Sequence, residues 1–265
     1  MTSLRLPDIK YSMIAYIGFL LLWGSFQVGN LIYLWKGLLM GALYIVYDLS
    51  WTYLRDRVSY LPLSSVISGF ILAIVGPANP SLIILFSLPL AAVISKQLIK
   101  IGERRHIFNP AGFALIVFSL GGYPVVSWWV PALTSGGIWL GLIILAGLAI
   151  IYRQSRWETA ISFLASYATL LAILFIFQGR ELSTILPLLK TQILDGTTLF
   201  FTSVMLIEPI TSNFPGKRNK IIYGVLVALC AVLFTAFAQY FVELDPLLSA
   251  LLVGNFVMSI ITLLI

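Results

Sequence analysis

The sequence predicts an all-α polytopic membrane protein: about ten transmembrane segments forming two inverted five-helix repeats, with interrupted helices. Three observations predict it. Of 265 residues, 60% are hydrophobic and only 10% charged, with a mean hydropathy of +1.02, too few charges for a water-soluble domain of this size. The basic residues gather in a few loops. Two short apolar runs closed by proline stand at corresponding places in the two halves.

The elements follow in order. The first, Tyr11–Gly29, comes after Arg5, Asp8 and Lys10; no small-residue cleavage signal follows it, so it reads as a retained helix rather than a signal peptide. The second, Leu31–Leu54, carries Lys36, which can snorkel outward, and Asp48, expected at the interface near its end. The third, Leu61–Val75, is short; Leu63-Ser64-Ser65-Val66 opens it, and Gly76-Pro77 and Asn79-Pro80 close it. Ser81–Ile99 is the fourth. The fifth, Phe108–Leu120, has Pro110 suited to a first helical turn and Asn109 to the cap before it. Trp128 and Trp129, in the next interval, are expected at the headgroup level. Ser135–Tyr152, Trp157–Phe177, Thr197–Ser212, Lys220–Val242 and Pro246–Ile265 complete the set. Between the seventh and eighth, Gly179 to Asp195 is polar but contains Ile185, Leu186, Leu188 and Leu189, and is expected along the outer membrane face. Cys230, the one cysteine, reads as a small packing residue.

With the N-terminus inside, Arg5, Lys10, Arg55, Arg57, Lys96, Lys100, Arg104, Arg105, Arg153, Arg156, Lys217, Arg218 and Lys220 share one side, 13 of the 16 Lys and Arg. By the positive-inside rule both termini are cytoplasmic, in a multi-pass protein of the inner (plasma) membrane. The net charge of +6 is then an orientation signal with no nucleic-acid meaning, and the lipid bilayer is the expected surrounding partner. The single membrane domain divides into repeat 1, about residues 11–133, and repeat 2, about 134–265. Each has a short third segment opened by hydroxyl residues and closed by proline, and because five is odd the second set lies upside down. Inverted repeats put their sites at such interrupted helices.

Two stretches carry candidate chemistry. Thr197 to Ile207 is 11 residues, roughly 16 Å as a helix, and cannot cross a core of about 30 Å alone. Glu208-Pro209-Ile210-Thr211-Ser212 follows it. A carboxylate at membrane depth is a functional hypothesis by default. Glu208, Thr211, Ser212 and the carbonyls freed before Pro209 could form an oxygen-rich site for Na⁺ or a proton path. The plainer alternative is a mouth charge neutralised by Lys217 or Arg218. The second stretch is His106 through Pro110, read either as a well-made cap or as a polar pocket of His106, Asn109 and the helix start. His106 is the sole histidine, so no multi-histidine haem or metal site is expected.

Several motifs resemble the RnfD/NqrB family of membrane subunits: Lys96-Gln97-Leu98 through Phe108-Asn109-Pro110-Ala111; Gly121-Gly122-Tyr123-Pro124-Val125-Val126-Ser127-Trp128; and Asp195-Gly196-Thr197-Thr198 through Glu208-Pro209-Ile210-Thr211-Ser212 to Lys220-Ile221-Ile222-Tyr223-Gly224. Ile67-Ser68-Gly69-Phe70-Ile71-Leu72-Ala73-Ile74 and Gly254-Asn255-Phe256 fit as well, so the resemblance spans most of residues 60–265. It implies a subunit of a redox-driven, ion-translocating complex moving electrons between reduced ferredoxin or NADH and an acceptor. It also implies a ten-helix, urea-transporter-like inverted repeat and bound flavin. Family members carry FMN esterified to a threonine of a Ser-Gly-Ala-Thr type motif between the fifth and sixth helices. Here the interval Tyr123 to Gly137 holds Thr134-Ser135-Gly136 and no such motif, so covalent FMN is not expected. A non-covalent flavin, riboflavin or FMN, is expected at His106, Asn109 and Pro110; Asn109 matches the family motif, whereas His106 stands where members often have asparagine. Glu208 stands where members have aspartate before Pro-Val-Thr. The implied partners are other subunits of a membrane electron-transport complex or a flavin reductase, with no catalytic residue in this chain. A channel or solute transporter on the same repeat, and a membrane anchor for a flavin oxidoreductase, are the rival readings.

Overall fold

Inside a bilayer a backbone N–H or C=O has no water to bond, so helices that pair their own groups are the default. The computed structural model follows that rule; it describes residues 8–102, 105–134, 136–240 and 244–264. Arg5, Arg104, Ser135, Val242 and Ile265, named above, lie outside these.

The elements are α1 (Ile9–Gln27), α2 (Leu31–Asp56), α3 (Leu63–Val75), α4 (Leu82–Leu98), a two-residue hairpin of β1 (Lys100–Ile101) and β2 (Arg105–His106), α5 (Pro110–Leu120), α6 (Trp129–Leu133), α7 (Gly137–Gln154), α8 (Trp157–Phe177), α9 (Leu182–Ile193), α10 (Gly196–Phe200) running into a π-helical turn (Phe201–Met205), α11 (Gly216–Ala236), a 3₁₀ turn (Ala238–Tyr240) and α12 (Pro246–Leu264). Among the described residues, α1, α2, α7, α8, α11 and α12 are long and apolar enough to cross a membrane, and four apolar helices are shorter: α3, α4, α5 and the Gly196–Met205 run. The chain is thus a helical, multi-pass membrane protein. Asn30, Ser81, Asn109 and Asp195 cap α2, α4, α5 and α10 by accepting backbone N–H bonds, satisfying donors that a helix start leaves open. Pro89 lies inside α4 and removes one of its intrahelical bonds.

Helix α2 packs on α3 and α4, and α4 on α5; α8 packs on α11, and α11 on α12. The two groups meet through α1 with α7 and α5 with α12, while α6 touches α1, α3 and α10. The closest approach between α2 and α3 needs glycine: a Cβ on Gly69 would sit 2.7 Å from Gly41 Cα. Small residues of this kind let helices approach where lipid offers no hydrophobic drive for association.

The basic segments are tied to their neighbours. Arg55 and Lys100 both donate to Gln97 Oε1, Arg153 donates to Ser12, and Lys220 donates to Ser155 O. At its far end, α3 stops at Val75 with its last carbonyls needing donors. The segment between α5 and α6 supplies them. Val75 O accepts from Ser127 N at 2.9 Å and Trp128 N at 3.0 Å, Ala73 O accepts from Trp129 Nε1 at 2.8 Å, and Gly76 O accepts from the Ser127 hydroxyl. Trp128 Nε1 donates to Asp245 Oδ2 at 2.7 Å. Trp128 is buried and Trp129 half-buried, each with its indole N–H on an acceptor. The ammonium of Lys36 is bound by Asn79 Oδ1 and Pro80 O. The interval Gly179–Asp195 contains the helix α9, which buries only Ile185 and packs on α8.

Replacing Gly69 by valine forces three heavy atoms into the Gly41 backbone, an overpacking that costs about 1–3 kcal/mol. Detergent-purified Gly69→Val is expected to unfold at a temperature several degrees lower than the parent, as read by thermal unfolding; an unchanged midpoint would show that α2 and α3 do not touch there.

Candidate functional site

The broken helix is built by hydroxyls and by one residue too many. Asp195 Oδ2 accepts from Thr197 N at 2.9 Å and Thr198 N at 3.4 Å. Gly196 is obligatory: a Cβ there would lie 2.1 Å from Pro131 O. Thr202 and Ser203 turn their hydroxyls back to Thr198 O and Leu199 O, both at 2.7 Å, the i−4 bonding that such residues make within helices. At Phe201 the α pitch opens: Leu206 N reaches Phe201 O at 2.9 Å, a π-helical bond. Such turns recur at functional sites. Pro209 has no N–H to continue the ladder, and the chain folds into a tight turn. Glu208 O accepts from Ser212 N at 3.0 Å and from Ser212 Oγ at 2.7 Å. Arg156, buried in the α7–α8 turn, donates to Ser212 O at 3.1 Å and Asn213 Oδ1 at 2.9 Å.

The second arm comes from the hairpin. Lys100 pairs with His106 across β1–β2, and Ile107 N donates to Ile99 O at 3.0 Å, which holds the chain in place just before α5. Asn109 Oδ1 accepts from Gly112 N at 3.0 Å. The cap reading of Asn109 is therefore literally present, and its NH₂ is the end still available to a ligand. Pro110 occupies the first turn.

The two arms meet. His106 Nε2 lies 3.3 Å from Glu208 Oε1, and Thr211 Oγ1 donates to Glu208 Oε2 at 3.0 Å. Two stretches read separately in the sequence form one constellation. His106 is buried, while the Glu208 side chain keeps 18% of its surface exposed. Ser212 belongs to the turn, with its hydroxyl on the Glu208 carbonyl. Lys217 and Arg218 are exposed in the first turn of α11, so the carboxylate's neighbour is the imidazole.

A cavity of about 320 Å³ opens beside them. Ile9, Lys10 and Met13 of α1, Ser64, Ile67, Ser68 and Ile71 of α3, then Asn109, Val204, Glu208, Pro209 and Ile210 line it. The short helix α3 and the broken helix thus form facing walls, mixed apolar and polar. His106 and Pro110 stand behind this surface. The sequence reading missed one part of the setting. Asp48 is fully buried within the protein, 2.7 Å from Lys96 Nζ, and Lys96 also reaches the hydroxyl of Ser64 on the cavity wall. Tyr60, in the α2–α3 loop, donates its hydroxyl to Asp48; burial first, and the carboxylate second, push its pKa up to about 12, so it remains a donor. Asp48, like Glu208, is a carboxylate in a predominantly apolar segment, the signal by which such a residue stands out in a sequence.

Compared with known proteins, the sequence matches no family model and no curated protein.

Arg156 secures the turn that presents Glu208. Removing it in Arg156→Met leaves a buried carbonyl without its charged donor, a loss of about 1.5–3 kcal/mol. The expected result is a lower unfolding temperature and faster proteolysis at 208–215, whereas Thr211→Val, which removes one neutral bond, should lower the midpoint by less than half as much.

Proposed function

We propose that this chain is a membrane subunit of a redox-driven electron-transport complex of the RnfD/NqrB type. In this reading it holds a non-covalent flavin in the cavity between α3 and the broken helix, with Glu208, Thr211 and Ser212 coupling ion movement. The observation that carries the reading is the convergence of Asn109 and Glu208 on one cavity, since these residues anchor the two most distinctive motifs of the resemblance. In its favour too is the packing of the helices taken as two sets of five: α1–α5, and α7, α8, Gly196–Met205, α11 and α12. The α2–α4 and α4–α5 contacts of the first set recur as α8–α11 and α11–α12 in the second. The sets meet at α1–α7 and α5–α12, each time a helix against its own counterpart, which is compatible with two-fold related repeats.

The residues suit the flavin ring system. The cavity lies at the small end of ligand pockets, roughly 300–1,000 Å³. Met13, Ile67, Ile71 and Val204 would face the ring, while Ser64, Ser68 and the Asn109 amide would serve its polar edge. When bound, flavin supplies the electron-carrying chemistry; the protein binds and orients it. Glu208 offers an acceptor that His106 can neutralise when protonated, with Thr211 fixing the carboxylate orientation. The same two facing short helices also suit a polar solute, so a channel or transporter is the second reading.

Three measurements test this. Detergent-purified protein is expected to be yellow, to release its flavin on acid denaturation and to show no added FMN mass; Asn109→Leu should lose most of the flavin. Colourless protein that conducts a solute in vesicles would replace the first reading by the second. Glu208→Gln, assembled with its partner subunits, should keep insertion and electron flow but lose ion dependence, and wild-type ion coupling would reduce Glu208 to a mouth charge. For orientation in the plasma membrane, in a Cys230→Ala background, Arg180→Cys should label from outside intact cells and Lys217→Cys only after permeabilisation; the reverse result inverts the topology.

A further inference from the structure

Asp48 lies within α2, fully buried, yet ringed by donors. Its Oδ2 accepts from Lys96 Nζ at 2.7 Å and from the hydroxyls of Tyr60 and Ser65, and its Oδ1 accepts from Gln97 Nε2 at 2.6 Å. Arg55 and Lys100 hold the other end of the Gln97 amide, which keeps its NH₂ turned toward the carboxylate. From the side of Lys96 the picture is an oxygen cage. Its ammonium contacts the carboxylate, Ser65 Oγ at 3.2 Å and Ser64 Oγ at 3.3 Å, with the face of Tyr44 at 5.9 Å. Carboxylate and hydroxyl oxygens are the ligands that hard cations take. A lysine ammonium is a compact point charge on a flexible stem, the side-chain group most like an alkali cation. Structural pairing alone would satisfy Asp48 with the ammonium and amide. The additional feature is Ser64, which also lines the cavity and so connects the cage to it.

We propose that Asp48, Ser64 and Ser65 form a monovalent-cation site, open to the cavity through Ser64, whose resident is the protein's own tethered ammonium, Lys96. Glu208 lines the cavity itself, whereas Asp48 lies behind Ser64 and is already filled. A free cation entering the cavity meets Glu208, with Lys10 also on its wall. This proposal stands apart from the flavin reading and does not depend on it.

Withdrawing the ammonium should let a free cation take its place. The full-length protein, carrying Glu208→Gln to silence the other carboxylate, is purified and its thermal unfolding followed in choline, sodium or potassium chloride at equal ionic strength. With Lys96 present, the midpoint is expected to be the same in all three salts. Lys96→Ala should unfold at a lower temperature in choline and be restored saturably by sodium or potassium. The rise should be roughly 3–6 °C for each tenfold increase above the dissociation constant, with potassium, nearest to ammonium in size, the stronger. Adding Asp48→Asn should abolish the dependence. A Lys96→Ala midpoint indifferent to alkali cations, an equal dependence in the Asp48→Asn double variant, or an equal dependence with Lys96 in place would each overturn the proposal. Failure to recover Lys96→Ala in any of these salts would also overturn it, whatever the double variant does. Flavin content plays no part in the readout, so a protein without flavin would sink the preceding reading and leave this one intact.

Discussion

Everything in this molecule depends on pairing the backbone groups that α3 and the Gly196–Met205 run leave open inside the fold. An unpaired carbonyl in a bilayer costs several kcal/mol, so a helix that stops midway must borrow donors from elsewhere in the protein. α3 borrows the N–H groups of Ser127 and Trp128 and the indole of Trp129. The turn after the π-helical bond borrows Ser212 and the guanidinium of Arg156. Apart from Ser212, which lies in the turn itself, the lenders lie just before and at the start of α6 and in the α7–α8 turn, so both repairs tie remote segments together. The cavity arises where α3 and the broken helix, once repaired, face each other.

The two carboxylates beside that cavity are treated differently by their surroundings. Asp48 is saturated: ammonium, amide and two hydroxyls occupy its oxygens, and no surface is left. Glu208 has one neutralisable neighbour and one hydroxyl, and keeps part of its surface open. Burying a charge is tolerated when it is fully paired, and a less completely paired group retains capacity for a ligand. The same functional group is thus a fixture behind the cavity wall and an open acceptor on it.

Local signals were legible in the sequence, and meetings were not. Short apolar runs, the proline stops after Val75 and Ile207, the Asn109 cap and the hydroxyl-rich openings of α3 and α10 are all properties of a few consecutive residues, and each has its place in the structure. The His106–Glu208 contact joins residues 102 positions apart, and no spacing rule reaches across that gap. Asp48 reads locally as a residue near the end of the second segment and Lys96 as part of a basic loop; the ion pair between them joins residues 48 positions apart, beyond any local signal. Trp128 and Trp129 read as headgroup anchors, but no preference scale shows where their indole N–H groups go, to Asp245 and to Ala73 O of α3.

The π-helical turn at Phe201–Met205 has a consequence of a different kind, concerning phase. A widened turn absorbs one surplus residue locally, so the chain beyond it keeps nearly the bearing that regular pitch with one residue fewer would give. Adding that residue to a regular α-helix instead would swing Glu208 by about 100° and push it out by about 1.5 Å, away from His106 although every residue of the constellation remained. The turn acts as slack taken up in one place, pinned by the hydroxyls of Thr202 and Ser203 on Thr198 O and Leu199 O.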